Sequence, residues 1–177
     1  MIDPKKHKIT VVDINPNRNP DIVADLHNLD MIKDNSFDAI VCLEVLEHTY
    51  NPFKVISELH RVLKKGGVIF LSAPFMMPYH HWVLHGTHEK INLVNDYYRF
   101  TASGWEYLLR DFKNVNIFRI GNYSDVLTRL LTNGKLKRDA FIYRFIKFLI
   151  STASKPFIGK GVQYHGTCLD HYVIAEK

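Results

Sequence analysis

Three short apolar stretches that each lead to an acidic residue constrain the fold of this chain most. The stretch VVDI contains Asp13, DIVAD ends at Asp25, and DAIVCL runs into Glu44. Continuous apolar runs of this kind are typical of parallel strands that are covered by helices on both faces. Because the carboxyl ends of parallel strands meet at one edge of a sheet, we expect ligand binding there.

A helix and a further strand follow in the order of a crossover connection. The segment NPFKVISELHRVLKKGG predicts a helix that is capped by Asn51 and ended by Gly66 and Gly67. The apolar run VIFLSAP predicts the next strand. A strand, a helix and a parallel strand in this order form a right-handed crossover.

The second half of the chain predicts more elements of both kinds. The segment TASGWEYLLRDF predicts a helix that is capped by Thr101 or Ser103. The segments VNIFRIG and HYVIAEK predict strands, because β-branched and aromatic residues alternate in them. With 177 residues, the chain has the length of one domain.

The order of these elements, with ADLHNL and SFDAIVCLEVLEH at their spacing, resembles the class I S-adenosylmethionine-dependent methyltransferases. The resemblance covers about residues 8–120 and returns in the last eight. It implies an α/β fold: a doubly wound, Rossmann-like, mostly parallel sheet with an antiparallel C-terminal edge strand. Because the first glycine is Gly66, the family's first strand and G-x-G-x-G loop are missing, and we expect an N-terminally truncated domain over 1–177.

The resemblance implies S-adenosyl-L-methionine as cofactor and assigns six residues at strand ends to it. These are Asp13, Ile14, Asp25, Leu26, Leu43 and Glu44. The first acid would accept hydrogen bonds from the ribose hydroxyls and the second from the adenine amino group. The corner after the third strand would line the methionine end. The alternative is that both aspartates only begin turns.

Two other segments resemble the acceptor side of the family's site. Pro74 and Phe75 end the predicted fourth strand, and DYYRFT contains Tyr97 and Arg99. These four residues are the candidates for an acceptor pocket. The alternative for the second segment is structural, with Arg99 paired to a carboxylate such as Asp96. Glu47 and His48 are interpreted as structural residues that orient the next helix.

Histidines cluster between these two segments. His80 or His81 is the candidate general base for an acceptor hydroxyl or amine, because the ordinary pKa of histidine lies near ~6.5. His81, His85 and His88 also have the spacing of a helical metal site. Pro78 and Gly86 argue against a continuous helix there, so no metal is predicted. A third interpretation is that these histidines have no catalytic role.

A basic insertion, predicted to be helical, occupies residues 122–168 before the last strand. Between Arg129 and Lys160 the chain has eight Lys or Arg and one acid, Asp139. The part 141–157 mixes aromatic and basic residues, so it is a candidate for peripheral membrane contact. The alternative is a helix packed on its own domain. Nucleic-acid binding is not expected, because no binding motif accompanies the basic residues.

The sequence leaves two functions open. The first is methyl transfer from S-adenosylmethionine to a small-molecule or sugar-like acceptor. The second is a catalytically inactive remnant that acts as a binding or scaffold subunit, in which a partner or a second copy fills the missing strand. Two cysteines, Cys42 and Cys168, do not make a disulfide framework, and Cys42 lies in a predicted buried strand, which indicates reduced thiols and a cytoplasmic protein.

Overall fold

The computed structural model describes residues 7–78, 95–131, 141–154 and 168–177. It is an α/β structure of ten α-helices and β-strands in these ranges. In chain order they are β1 (Val12–Asp13), β2 (Ile22–Val23), β3 (Phe37–Leu43), α1 (Pro52–Val62), β4 (Leu63–Pro74), α2 (Ala102–Leu108), β5 (Lys113–Ile120), α3 (Tyr123–Leu131), α4 (Phe141–Ser154) and β6 (Asp170–Glu176).

The strands form two sheets among the described residues. The larger has the order β3-β4-β6-β5, and β1 pairs with β2 in a separate parallel sheet. β3 and β4 are parallel, and β6 runs antiparallel to both β4 and β5. The predicted fold class is therefore confirmed. The antiparallel C-terminal strand lies one position inside the edge, which β5 forms.

The core lies between one face of the larger sheet and helices α1 and α2. On α1, the buried residues Val55, Ile56, Leu59 and Val62 recur at the spacing of a helix face. Trp105 of α2 is fully buried in the same core. Asn51 caps α1 by accepting a hydrogen bond from the Lys54 amide at 3.1 Å, and Thr101 caps α2 from its side chain, so both predicted caps are confirmed.

An ion pair on α1 fixes the loop that follows β2. Glu58 accepts a hydrogen bond from the Leu29 amide at 3.0 Å. Arg61 donates to the carbonyls of Leu29 at 2.9 Å and Ile32 at 2.8 Å and pairs with Glu58 at 2.9 Å. The hydrogen bonds from Arg61 lower the pKa of Glu58 to about 2. The loop beyond Asp25 is thereby tied to the helix that covers the core.

In the described part of the chain, α1 and α2 lie on one face of the larger sheet. Leu43, Ser72, Tyr172 and Phe118 are in register across the four strands and share the face opposite α1 and α2. Tyr172 is 42% exposed and Phe118 is 51% exposed. The strands are apolar on both faces, but α1 and α2 both pack on the same one.

The two sheets belong to one core although they are not hydrogen-bonded to each other. Val12 of β1 and Ile22 of β2 pack against the cluster that contains Cys42 of β3. Within the described ranges, β3 pairs only with β4, and β1 pairs only with β2. Val11 and Val41, on the two sides of this interruption, are 52% and 50% exposed.

The predicted end of α1 at the two glycines is wrong. The helix ends at Val62, and β4 begins at once with Leu63. In the pairing with β3, Phe37 lies opposite Leu63 while Ala39 lies opposite Val68. The intervening residues of β4 form a bulge, in which Gly66 has a φ of +73°. Glycine tolerates this conformation, so the pair shapes a bulged strand rather than a helix end.

Gly67 should not tolerate a side chain. A Cβ there would lie 2.9 Å from the carbonyl oxygens of Asp38 and Lys64 and from Cδ1 of Leu63. We expect Gly67→Ala to lower the free energy of unfolding by about 1–3 kcal/mol, as overpacking does. Lys65→Ala, at an exposed neighbouring position, is the control and should change it by less than about 0.5 kcal/mol. Urea titration measures both, and equal stabilities would contradict a tightly packed bulge.

Candidate active site

Asp13 ends β1 and points its carboxylate into the loop that follows. Its Oδ1 accepts a hydrogen bond from the Asn15 amide at 2.8 Å. Its Oδ2 pairs with Nη1 of Arg18 at 3.1 Å. The Arg18 side chain is 62% exposed, and a surface pair of this kind contributes little to stability. Oδ2 can therefore exchange this partner for a ligand at small cost.

Asp25 follows β2 by two residues and is held by His27. The His27 amide donates to Oδ1 of Asp25 at 2.9 Å, and Nδ1 of the ring lies 2.6 Å from the same oxygen. Nε2 accepts from the Asn51 amide at 3.2 Å, so the proton of a neutral ring lies on Nδ1 and is donated to Asp25. Partial burial raises the pKa of Asp25, but the hydrogen bonds from His27 outweigh it and lower the pKa overall.

The His27 ring also joins the two sheets at this edge. It stacks on Tyr50 with ring centres 3.9 Å apart. Tyr50 and Asn51 lie between β3 and α1, so the carboxyl ends of β2 and β3 are at the same edge. The hydroxyl of Tyr98 donates to the Tyr50 carbonyl at 3.0 Å, which ties the DYYRFT segment to that edge.

A sharp backbone corner follows β3. Glu44 has a φ of +53°, a left-handed conformation that few non-glycine residues adopt. Its amide donates to the carbonyl of Ser72 on β4 at 3.1 Å, and the buried Ser72 hydroxyl donates to Oε1 of Glu44 at 2.5 Å. Strain of this kind persists where surrounding bonds determine the conformation, and it is concentrated at functional sites.

Glu47 is buried next to this corner. Its carboxylate is fully buried, and neither oxygen has a hydrogen-bond partner among the described residues. Nε2 of His48 is 3.7 Å from Oε1. Burial raises the pKa of Glu47 to about 8, and the carboxylates of Glu44 and Asp96 add to the shift, while Arg99 opposes it. The carboxyl group is therefore neutral over much of the ordinary pH range.

The backbone at Glu47 and the ring of His48 organise the DYYRFT segment. The Glu47 carbonyl accepts from the amide of Tyr97 at 2.7 Å, and Nδ1 of His48 lies 2.8 Å from the Asn95 carbonyl oxygen. Their predicted role was structural, and the structure shows a structural contact. The contacts of Glu47 and His48 hold residues 95–98 in place. The start of α1 is instead capped by Asn51.

Arg99 joins the two segments that were predicted to form the acceptor side. It pairs with Asp96 through both carboxylate oxygens, as the structural alternative expected. It also donates to the carbonyls of Met77 at 3.2 Å and Pro78 at 3.0 Å. Its guanidinium therefore fixes the chain beyond β4. A bidentate pair with a buried carboxylate is geometrically specific.

The remaining predicted residues differ in their surroundings. Ile14 is 65% exposed and Leu43 is 44% exposed, whereas Leu26 packs against the core. Pro74 is buried and Phe75 packs on His171 at 5.3 Å. His80 and His81, and the other histidines of that cluster, lie outside the described residues. The structure thus gathers Asp13, Asp25 and Glu44 at one edge.

Two contributors to the site were not predicted from the sequence. His27 stands two residues after Asp25, a spacing that allows a carboxylate and an imidazole to bond within one turn. Ser72 lies in the run VIFLSAP as its one polar residue, and a lone hydroxyl in a buried strand needs a partner. Both signals were present in the sequence, and both partners, Asp25 and Glu44, were already candidates.

Comparisons with known proteins agree with this geometry. A family described as "Methyltransferase domain" matches residues 1–71. The chain is 36% identical over 74 residues to a ubiquinone biosynthesis O-methyltransferase of Pseudomonas paraeruginosa, which is 42% of this chain and 25% of that protein. It is 38% identical over 61 residues to the human thiol S-methyltransferase TMT1B, covering 34% and 25%. The chain thus matches about a quarter of the length of these relatives.

A solved structure shows the same fold over most of the chain. It is a SAM-dependent methyltransferase from Archaeoglobus fulgidus, with a TM-score of 0.54, 18% identity, and coverage of 94% of this chain and 74% of that one. This likeness shows the fold, and residues 1–71 are the part that also matches the methyltransferase family. The N-terminal part of the chain is thus similar to that family, and the fold over most of the chain is similar to that of the solved methyltransferase.

Glu47 should make stability depend on pH. Its pKa is about 8 in the folded chain against 4.5 as its ordinary value, so between these pH values the folded state binds the extra proton. The contribution of Glu47 to the free energy of unfolding is therefore fully present at low pH. It falls as the pH rises to about 8, by up to about 1.4 kcal/mol per pH unit. Glu47→Gln should remove this part of the dependence.

Urea titrations at pH 5, 6.5 and 8 measure the effect. Glu106→Gln, on the exposed side of α2, is the matched control and should keep the wild-type slope. If Glu47→Gln and wild type lost stability in parallel between pH 5 and 8, the neutral buried carboxyl would be refuted.

Proposed function

We propose that this chain binds S-adenosyl-L-methionine at the carboxyl edge of its strands and transfers the methyl group to a small-molecule or sugar-like acceptor. The observation that carries the proposal is the placement of Asp13 and Asp25. β1 and β2 are adjacent and parallel, so both carboxylates leave the sheet at the same edge. One can accept from ribose hydroxyls and the other from the adenine amino group.

The family match supports the cofactor half of the proposal. All six predicted cofactor residues lie within the matched residues 1–71. Asp25 is kept ionised by His27, and an exocyclic amine needs such an acceptor. For Asp13, Oδ2 must leave the exposed Arg18, while Oδ1 keeps the Asn15 amide and its orientation.

The cofactor supplies an activated sulfonium methyl group, which is transferred by direct displacement at carbon. The protein has to align the acceptor with that methyl and to exclude water. The acceptor side is proposed to include Pro74, Phe75, Tyr97 and Arg99. Arg99 serves this side by fixing Met77 and Pro78, and Tyr97, half exposed, offers a ring to the acceptor.

A proton must leave the acceptor when the nucleophile is a hydroxyl or an amine. His80 or His81 is proposed as the general base, because both follow the end of β4 closely in sequence. The acceptor class is proposed from the resemblance. The acceptor-side residues lie beyond the matched residues 1–71, and the names of the relatives include both an O- and an S-methyltransferase.

Calorimetric titration of the 177-residue chain with S-adenosylmethionine tests the cofactor site. We expect saturable binding that Asp13→Ala weakens by about 10- to 100-fold, since one or two charge-assisted hydrogen bonds are lost. Asp30→Ala is the matched control. It removes the same charge from an exposed position in the neighbouring loop and should leave the affinity within about twofold.

Two results would overturn the proposal. No binding by a folded sample would favour the inactive remnant, in which a partner occupies the open edges of β1 and β3. Binding that Asp13→Ala and Asp30→Ala weaken equally would place the cofactor elsewhere. Circular dichroism of each variant shows whether a loss of binding reflects a loss of folding.

A further inference from the structure

Helix α4 presents an exposed apolar stripe. Its members are Phe141, Ile142, Phe145, Phe148 and Leu149, with exposed fractions of 81%, 59%, 51%, 62% and 49%. At about 100° per residue they fall within an arc of about 120° on one side of the helix. Three aromatic rings and two aliphatic side chains on one continuous face are more than the scattered apolar residues of an ordinary surface.

The opposite side of α4 is attached to α3. Tyr143 is 2% exposed, and Nζ of Lys147 pairs with Oδ1 of Asp125 at 2.6 Å. Asp125 is itself fixed, because its amide donates to the Asn122 side chain at 3.2 Å and its carboxylate accepts from the Asn122 amide at 3.0 Å. The exposed stripe therefore faces away from α3. Helix α4 thus packs on α3 with one side and leaves its aromatic side exposed.

The charged residues of α4 itself have one sign. The helix contains Arg144 and Lys147 and no acid. Arg144 is exposed and lies at the border of the stripe, next to Phe148 in helical projection. In sequence the helix belongs to the segment with eight Lys or Arg and a single acid. An apolar face bordered by the Arg144 cation matches the headgroups and acyl boundary of an anionic membrane surface.

The dimensions of the stripe argue for a surface contact. Fourteen residues form a helix of about 21 Å, and in the described part of the chain no helix is long and apolar enough to cross a bilayer. At about 200 Å² for each large apolar side chain, the exposed fractions of the five residues leave about 600 Å² of accessible surface on the stripe. A stable protein dimer buries about 800 Å² per partner, so this face is too small to hold a second copy by itself.

We propose that α4 lies in the interface of an anionic membrane, with Phe141, Phe145 and Phe148 inserted and Arg144 at the headgroups. The proposal does not depend on methyl transfer. It assigns the exposed aromatic face to lipid, and it makes binding depend both on apolar insertion and on the charge of the surface. Binding should weaken at high salt because screening acts on the second contribution.

Co-sedimentation of the 177-residue chain with vesicles tests the proposal. The probes are vesicles of phosphatidylcholine alone and of phosphatidylcholine with 30–40% phosphatidylglycerol (about one charge per three lipids). We expect binding to the anionic vesicles and at least ~10-fold weaker binding by Phe145→Glu/Phe148→Glu, because each inserted ring contributes about that factor. Phe118→Glu is the control: it introduces one glutamate on β5 at a Phe with the same exposure as Phe145, 51%.

The outcomes separate lipid from other occupants. Loss of vesicle binding in the α4 variant, with retention in Phe118→Glu, supports the proposal. It is overturned if folded wild type binds no vesicle, if neutral vesicles bind it equally well, or if Phe118→Glu abolishes binding, which would assign the contact to the open sheet face. A dimer that only the α4 variant dissociates, without vesicle binding, would assign the stripe to a second copy.

Discussion

The parallel pairing of β3 with β4 is the contact on which the site depends. It places Glu44, whose backbone is in a left-handed conformation, against Ser72. The buried Glu47 lies next to this corner after β3. The β1–β2 pair, which carries Asp13 and Asp25, is joined to this edge by side chains: His27 bonds to Asp25, stacks on Tyr50 and accepts from Asn51. One imidazole ring thus connects the two halves of the proposed cofactor site.

Two carboxyl groups at this edge, those of Asp25 and Glu47, have different electrostatic surroundings. Asp25 is partly exposed and bonded to donors, so it stays ionised. Glu47 is enclosed near two other carboxylates, so it holds its proton to about pH 8. The charge of Asp25 and the neutrality of Glu47 thus follow from differences in burial and in hydrogen bonding. Arg99 offsets the negative charge and also fixes the chain that leaves β4.

Much of this could be predicted from sequence, for identifiable reasons. The caps Asn51 and Thr101 follow from local chemistry, and the strands follow from their apolar runs. The end of α1 was predicted wrongly because two glycines resemble a helix end, whereas the register shift between Phe37 and Ala39 of β3 makes them part of a bulge in β4. Two features depend on packing between segments that are far apart in the sequence: α1 and α2 lie on the same face of the larger sheet, and one side of α4 is exposed. The spacing of residues along the chain does not predict such packing.

Hydrogen exchange of the backbone amides, with and without saturating S-adenosylhomocysteine, tests the central claim most directly. A cofactor site at the carboxyl edge predicts slower exchange in the loops after β1, β2 and β3, at residues 14–18, 26–28 and 44–46, and no change in β5. Ligand binding that leaves these three loops unchanged and protects another region would contradict a site at that edge.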